Sequence, residues 1–86
     1  MNVPHYFGKT VLAHLPFADG EELSDGDDLA ALGLDSMGIV RLLADLEEEF
    51  GIEVPDELIT EDSFATAGSL WQAVGGLIPP ERLANA

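Results

Sequence analysis

Cysteine is absent from this 86-residue chain, and lysine and arginine together number only three. Without cysteine the chain has no disulfide, no thiol nucleophile and no thiolate ligand for a metal. Long apolar runs are also lacking, as is the basic and then apolar N-terminal pattern of a secretion signal. We therefore expect a soluble, cytoplasmic protein with no membrane partner. No metal site is expected either, because His5 and His14 are nine residues apart and the acids at 25, 27 and 28 do not follow the spacing of an EF-hand loop.

The charges that are present are almost all negative. Seventeen Asp and Glu residues stand against the three cations, for a formal net charge of −14. Such a surface repels nucleic-acid phosphates and anionic lipids, whereas it attracts proteins that carry basic patches. It also confers solubility, so charge by itself does not establish a partner.

Hydrophobic residues make up 47% of the chain, which is enough for the core of one small domain. We expect a single monomeric domain over residues 1–86. Its ordered core should cover about residues 5–78, with a loose tail at 79–86.

Four helical segments are predicted from apolar spacing and from the residues that punctuate it. The first covers residues 5–15 and is stopped by Pro16. An acidic loop over 17–34 follows, then a long helix at 36–50, a short third helix at 60–64 and a fourth helix from the capping residue Thr66 to about 78. This order predicts an all-α four-helix bundle with a long loop between its first two helices. Apolar side chains should fasten that loop to the bundle, namely Leu23, Leu29, Leu32 and Leu34.

The second helix has the clearest amphipathic pattern in the chain. Ile39, Leu43, Leu46 and Phe50 recur at helical spacing and predict one buried face, which Leu42 widens. Among these we expect Leu43, Leu46 and Phe50 to be buried, together with Phe64 from the third segment.

Both ends of this helix carry recognisable signals. Gly33 can adopt the positive φ of a tight turn, and either Asp35 or Ser36 can cap the first amides. Gly51 can close the helix in the left-handed conformation. Ser36 therefore has two possible roles. It can cap the helix, or its exposed hydroxyl can accept a covalent group, and spacing alone does not choose between the two.

An independent catalytic role for Ser36 is not favoured. Gly33 and Gly38 do not reproduce the spacing of a Gly-x-Ser-x-Gly elbow, and no strand precedes the serine. The only candidate bases are His5 and His14, on a separate short helix. We expect a non-catalytic protein.

The sequence from Leu32 to Met37 (Leu-Gly-Leu-Asp-Ser-Met) resembles the phosphopantetheine attachment motif of acyl and peptidyl carrier proteins. The resemblance continues through Leu-Glu-Glu-Glu-Phe-Gly-Ile-Glu-Val-Pro-Asp at residues 46–56 and covers about residues 27–77. It implies a four-helix carrier bundle in which Ser36 receives a 4′-phosphopantetheine arm from a separate phosphopantetheinyl transferase, with Gly33, Asp35 and Met37 as supporting residues. It also implies a shuttle whose cargo is held as a thioester on the arm.

The resemblance further implies a face for partner enzymes, which are a loading enzyme (an adenylating enzyme or an acyltransferase) and downstream synthase enzymes. Met37, Val40 and Ala44 would form its apolar centre, and Arg41 departs from the acidic pattern usual at this helix. The expected acidic border consists of Glu47, Glu48, Glu53, Asp56 and Glu57.

The kind of carrier is less closely defined. Residues 58–66 are similar to discrete carriers that accept aminoacyl, D-alanyl or glyceryl units, which indicates a freestanding acyl or aminoacyl carrier of specialised metabolism, such as polyketide, nonribosomal peptide or antibiotic biosynthesis. A fatty-acid or polyketide acyl carrier is the alternative. An unmodified acidic interaction module is the alternative from a different class.

Overall fold

The computed structural model describes residues 3–18 and 23–83. Within these ranges there are four α-helices and two 3-10 turns, and the sole β-type pairing is an isolated bridge between Asp28 and Thr66. The all-α class predicted from the sequence is confirmed for the described residues. None of these helices is long and apolar enough to span a bilayer. The elements are α1 (His5–Leu12), α2 (Ser36–Phe50), a 3-10 turn (Asp56–Leu58), α3 (Ala67–Val74), a second 3-10 turn (Gly75–Leu77) and α4 (Pro80–Leu83).

Helix α1 is shorter than the predicted segment at 5–15. It ends at Leu12, where the amides of His14 and Leu15 bond to carbonyls three residues back instead of four. This tightening brings the chain to Pro16 in turns instead of a continued helix. Val3 is also buried, so the ordered core begins before residue 5.

Helix α2 begins and ends where the sequence predicts, but its buried face is rotated. Leu42 and Leu46 are fully buried and Phe50 nearly so, which places the core on an i, i+4, i+8 stripe. Leu43 is only half-buried and lies with Ile39 at the edge of that stripe. The prediction that Leu43 is a core residue and Leu42 merely widens the face was therefore wrong.

The long acidic loop is tied to the first turn of α3. The carbonyls of Asp25 and Asp27 accept hydrogen bonds from the amides of Gly68 and Ala67 at 2.8 and 3.1 Å. A Cβ at residue 68 would come within 3.0 Å of the Asp25 carbonyl oxygen, so glycine allows this close approach. Of the four leucines predicted to fasten the loop, three are buried, namely Leu23, Leu29 and Leu34. The fourth, Leu32, is half-buried and packs against the core.

The segment before α3 differs in detail from the prediction. Its helical turn is a 3-10 turn at Asp56–Leu58, four residues earlier than expected, and residues 61–65 form hydrogen-bonded turns instead of a helix. Phe64 is buried, as predicted. Thr66 caps α3 as expected, in a reciprocal pair of hydrogen bonds with Ser69.

The tail also differs, because Pro80–Leu83 form a helical turn. The guanidinium of Arg82 donates to the carbonyl of Glu49 at 2.9 Å and lies beside Gly51. A cation therefore covers the C-terminal end of α2, where the helix dipole is negative. The loose tail expected at 79–86 therefore includes a helical turn, and residues 84–86 lie outside the described part.

Candidate functional site

The approach to α2 is a turn that requires glycine. Gly33 has φ of +103°, and a Cβ there would lie 2.6 and 2.8 Å from two carbons of the Pro16 ring. A side chain at this position would be strained and would also collide. Leu34 is buried directly after the turn, which anchors the chain as it enters the helix.

The capping role belongs to Asp35. Its backbone is extended, and its Oδ1 accepts a hydrogen bond from the amide of Gly38 at 2.7 Å. Its carbonyl accepts from the amide of Ile39 at 2.8 Å. Of the two capping candidates that the sequence offered, the structure selects Asp35.

Ser36 is consequently left with an uncommitted hydroxyl. It is the first residue of α2, it is exposed, and its side chain forms no hydrogen bond with any residue in the described ranges. The first amides of a helix lack intrahelical acceptors, and the dipole there is positive, so a phosphate ester on this oxygen would be stabilised electrostatically. The residues present therefore fit a covalent phosphate-linked group.

The side of α2 next to Ser36 is open to solvent. Met37 and Val40 are 61% and 63% exposed, and Arg41 and Ala44 are exposed beyond them. Arg41 forms no hydrogen bond or ion pair with the described residues. The acidic residues expected at the border of this face are exposed in all but one case, namely Glu48, Glu53, Asp56 and Glu57.

Glu47 is the exception among the predicted partner-binding residues. Its Oε2 accepts a hydrogen bond from the amide of Val54 at 2.9 Å, and its carbonyl accepts from the amides of Gly51 and Ile52. The side chain is half-buried. Its carboxylate therefore holds the loop after α2 against the helix and is not freely presented to a partner.

Neither histidine that was considered as a base for Ser36 lies beside it. The Nε2 of His14 lies 2.8 Å from Oδ2 of Asp45, which links the end of α1 to the middle of α2. Asp45 is nine residues beyond Ser36, or about 14 Å along the helix axis. His5 adjoins Tyr6, whose hydroxyl bonds to Glu49 near the other end of α2 from Ser36.

One residue beside the site was missed by sequence reasoning. Phe17 is 71% exposed, and a ring carbon lies 3.1 Å from the position a Cβ would take on Gly33. The available signal was an aromatic residue directly after Pro16 and outside any amphipathic pattern.

Comparison with known proteins shows that the chain matches one family and is similar to two kinds of protein. Residues 9–74 match the family described as "Phosphopantetheine attachment site". The acyl carrier protein of Sinorhizobium fredii is 43% identical over 61 residues, which are 70% of this chain and 74% of that protein. The aminoacyl carrier protein of Agrobacterium fabrum is 39% identical over 54 residues, which are 63% of this chain and 65% of that protein.

Two solved structures share the fold. A chain in the crystal structure of Bradyrhizobium japonicum glycine:[carrier protein] ligase complexed with its cognate carrier protein superposes with a TM-score of 0.69 at 24% identity, over 83% of this chain and 92% of that one. The engineered ligase complexed with the carrier protein from Agrobacterium tumefaciens and ATP contains a chain that is 32% identical, with a TM-score of 0.60 over 80% of this chain and 96% of that one.

Proposed function

The chain belongs to the phosphopantetheine-attachment-site family of carrier proteins, and from this premise we propose that Ser36 bears the arm and that an adenylating ligase loads it with a small aminoacyl group. The arm supplies the terminal thiol to which cargo is joined as a thioester. The chain itself contains no cysteine that could compete for that cargo.

One observation carries the assignment of Ser36 as the attachment site. Its hydroxyl is exposed at the first position of α2, while Asp35 caps the helix. A modifying enzyme can reach this oxygen without breaking a hydrogen bond of the described structure. The turn at Gly33 and the buried Leu34 hold the serine in one place, so the attachment point is presented on a rigid element.

The aminoacyl assignment has two sources of support. The chain is 39% identical to an aminoacyl carrier protein, and it shares the fold, at 32% identity, of a chain from a complex between a glycine:[carrier protein] ligase and a carrier protein. The similarity to acyl carrier proteins, at 43% identity, favours fatty-acyl or polyketide service as the second candidate. We place the aminoacyl carrier in specialised metabolism, with downstream synthases as further partners.

The partner surface in this proposal is the open side of α2. Met37, Val40 and Ala44 contribute its apolar centre, and Arg41 contributes a cation that is uncommitted within the described residues. Exposed acids at its far end steer basic partners by charge, in a manner weakened by salt. These acids are Glu48, Glu53, Asp56 and Glu57.

The first experiment tests the attachment site. The protein is incubated with coenzyme A and a broad-specificity phosphopantetheinyl transferase, and intact mass is recorded. Wild type and Ser24→Ala, which removes a different exposed serine, should gain one phosphopantetheinyl group, whereas Ser36→Ala should gain none. A mass gain in Ser36→Ala would refute the site.

The second experiment distinguishes the two kinds of cargo. Holo protein is offered to a glycine:[carrier protein] ligase with ATP and a panel of amino acids, and in parallel to malonyl-CoA with its transferase. We expect aminoacyl loading. Malonyl transfer alone would establish the acyl alternative, and a wild type that gains no arm from several transferases would support an unmodified interaction module.

A further inference from the structure

Phe17 is held in an exposed position by its neighbours in the chain. It is the most exposed large apolar side chain in residues 3–18 and 23–83. The residues on either side anchor the turn, because Leu15 is buried, Ala18 packs against the core, and the Ala18 amide bonds to the Leu15 carbonyl at 3.1 Å. These contacts fix the backbone that presents the ring to solvent.

A second set of contacts places this ring near the attachment serine. The amide of Phe17 donates to the carbonyl of Leu32 at 2.9 Å, and the ring lies against Gly33. Gly33 is three residues before Ser36, and three residues of chain span at most about 11 Å. The ring carbon is 3.1 Å from the position of a Cβ on Gly33, and a Cβ is about 1.5 Å from its Cα, so the ring edge is within about 16 Å of the Ser36 Cα.

Exposed apolar surface is concentrated around Ser36. The three most exposed large apolar side chains of the described ranges are Phe17, Val40 and Met37, at 71%, 63% and 61%. Met37 adjoins Ser36, and Val40 lies one helical turn further along α2. Two of these side chains are on α2 within four residues of Ser36, and the third lies beside Gly33, three residues before it.

We propose that Phe17 is a docking residue for the adenylating ligase that loads the arm, a proposal that rests on the function proposed above. A standard interface covers about 800 Å² per partner, which is a disc of about 16 Å radius. Even at the upper bound of its distance, Phe17 therefore lies at the edge of a ligase footprint centred on Ser36. Aromatic side chains are enriched in interfaces, and a phenylalanine has few rotatable bonds to immobilise when it is covered.

The chemistry of the ligase surface that would contact Phe17 follows from the apolar ring and from the charge of this protein. The ring requires an apolar pocket, and the surrounding protein carries a formal charge of −14. The matching ligase surface is an apolar pocket bordered by lysine and arginine. Val40 and Met37 continue the same contact along α2, so Phe17 extends the helix surface onto the preceding loop.

The test compares loading of holo Phe17→Ala, Phe17→Leu and Leu83→Ala with wild type, after complete modification of each variant at Ser36. Leu83 is an exposed apolar residue on α4 and provides the matched control. With a glycine:[carrier protein] ligase and ATP, we expect kcat/KM of Phe17→Ala to fall about tenfold, mainly through KM, which is the loss typical of a hot-spot side chain. Phe17→Leu should recover part of it, and Leu83→Ala should match wild type.

Two outcomes would overturn the proposal in distinguishable ways. If wild type is loaded and Phe17→Ala is loaded with equal kcat/KM, then Phe17 does not contact the ligase although the proposed function stands. If wild type is not loaded by aminoacyl ligases, the proposed function fails and this proposal fails with it. The thermal midpoint of Phe17→Ala should equal that of wild type, and a marked decrease would assign the residue a structural role instead.

Discussion

The carboxylate of Glu47 accepts a hydrogen bond from the backbone amide of Val54, seven residues later, at 2.9 Å. This bond folds the chain after α2 back onto the last turns of the helix, next to the amides of Gly51 and Ile52 that bond to the Glu47 carbonyl. Glu47 thus stabilises the loop that presents Glu53, and it differs in role from its neighbour Glu48.

We predict that Glu47→Ala lowers the free energy of unfolding by about 1 kcal/mol, because the Val54 amide loses its acceptor in a partly buried place. Glu48→Ala, at an exposed position on the same helix, should change it by less than about 0.5 kcal/mol. Urea denaturation of both variants measures the difference. Equal stability of the two variants would show that the Glu47 bond contributes nothing.

The rotated face of α2 gives a second prediction. Leu42 is fully buried and Leu43 is half-buried, so Leu42→Ala should cost about 2–5 kcal/mol while Leu43→Ala costs clearly less. The larger loss is a substantial part of the 5–15 kcal/mol available to a typical domain. The same residue change is made on adjacent positions, which makes the pair its own control. A greater loss at Leu43 would restore the face predicted from the sequence.

A third prediction separates the cap from the modified serine. Asp35→Ala removes the acceptor of the Gly38 amide and should cost about 1 kcal/mol, whereas Asp35→Asn should retain most of the stability. Ser36→Ala should cost nothing measurable, since the Ser36 side chain has no hydrogen bond within the described residues and alanine favours the helix. Chemical denaturation checks all three variants. A loss in Ser36→Ala equal to that in Asp35→Ala would contradict the assignment of the cap.

The partner surface of α2 gives a fourth prediction. Val40→Asp places a charge in the apolar centre and should lower kcat/KM for loading by about tenfold, which corresponds to about 1.4 kcal/mol. Arg41→Glu should also slow loading, because the Arg41 guanidinium is available for a carboxylate on the ligase. Intact mass over time gives both rates, and circular dichroism confirms that each variant folds. Faster loading of Arg41→Glu would indicate that only net negative charge matters.

Tyr6 supports a fifth prediction, at alkaline pH. Its hydroxyl donates a hydrogen bond to the carboxylate of Glu49, and this bond together with the negative charge of Glu49 raises the pKa of Tyr6 above its ordinary value. A pKa raised by folding stabilises the protein fully below the unfolded pKa of about 10, and that contribution is lost as pH rises through the higher folded value.

The tyrosinate absorbance measures this directly, because the chain contains a single tyrosine. We expect the titration of folded wild type to be displaced upward from that of Glu49→Gln. Glu48→Gln, which changes the preceding residue of the helix, should titrate like wild type. Identical curves for wild type and Glu49→Gln would show that the Tyr6–Glu49 bond is absent in solution.

Much of α2 follows from interactions between residues close in sequence. The Asp35 carboxylate reaches an amide three residues on, Gly51 takes the left-handed conformation at φ of +64°, and Gly33 takes φ of +103° before the cap. Capping and turn geometry depend on the local backbone, so the chain specifies them without knowledge of the rest of the fold. The start of α3 at Thr66 could be predicted for the same reason.

Other features depend on neighbours distant in sequence. Leu42 and Leu43 both belong to the apolar stripe and differ by about 100° around the helix, so what packs against α2 decides which one is buried. Arg82 donates a hydrogen bond to the carbonyl of Glu49, which is more than thirty residues away in sequence. The carboxylate of Glu47 accepts a hydrogen bond from the amide of Val54. The sequence by itself determined both ends of α2, the start of α3, the glycine turn and the serine at the start of α2. The tertiary structure decided which leucine is in the core, which glutamate is engaged, and that Phe17 lies exposed beside Gly33, because burial and long-range hydrogen bonds exist only once the elements are assembled.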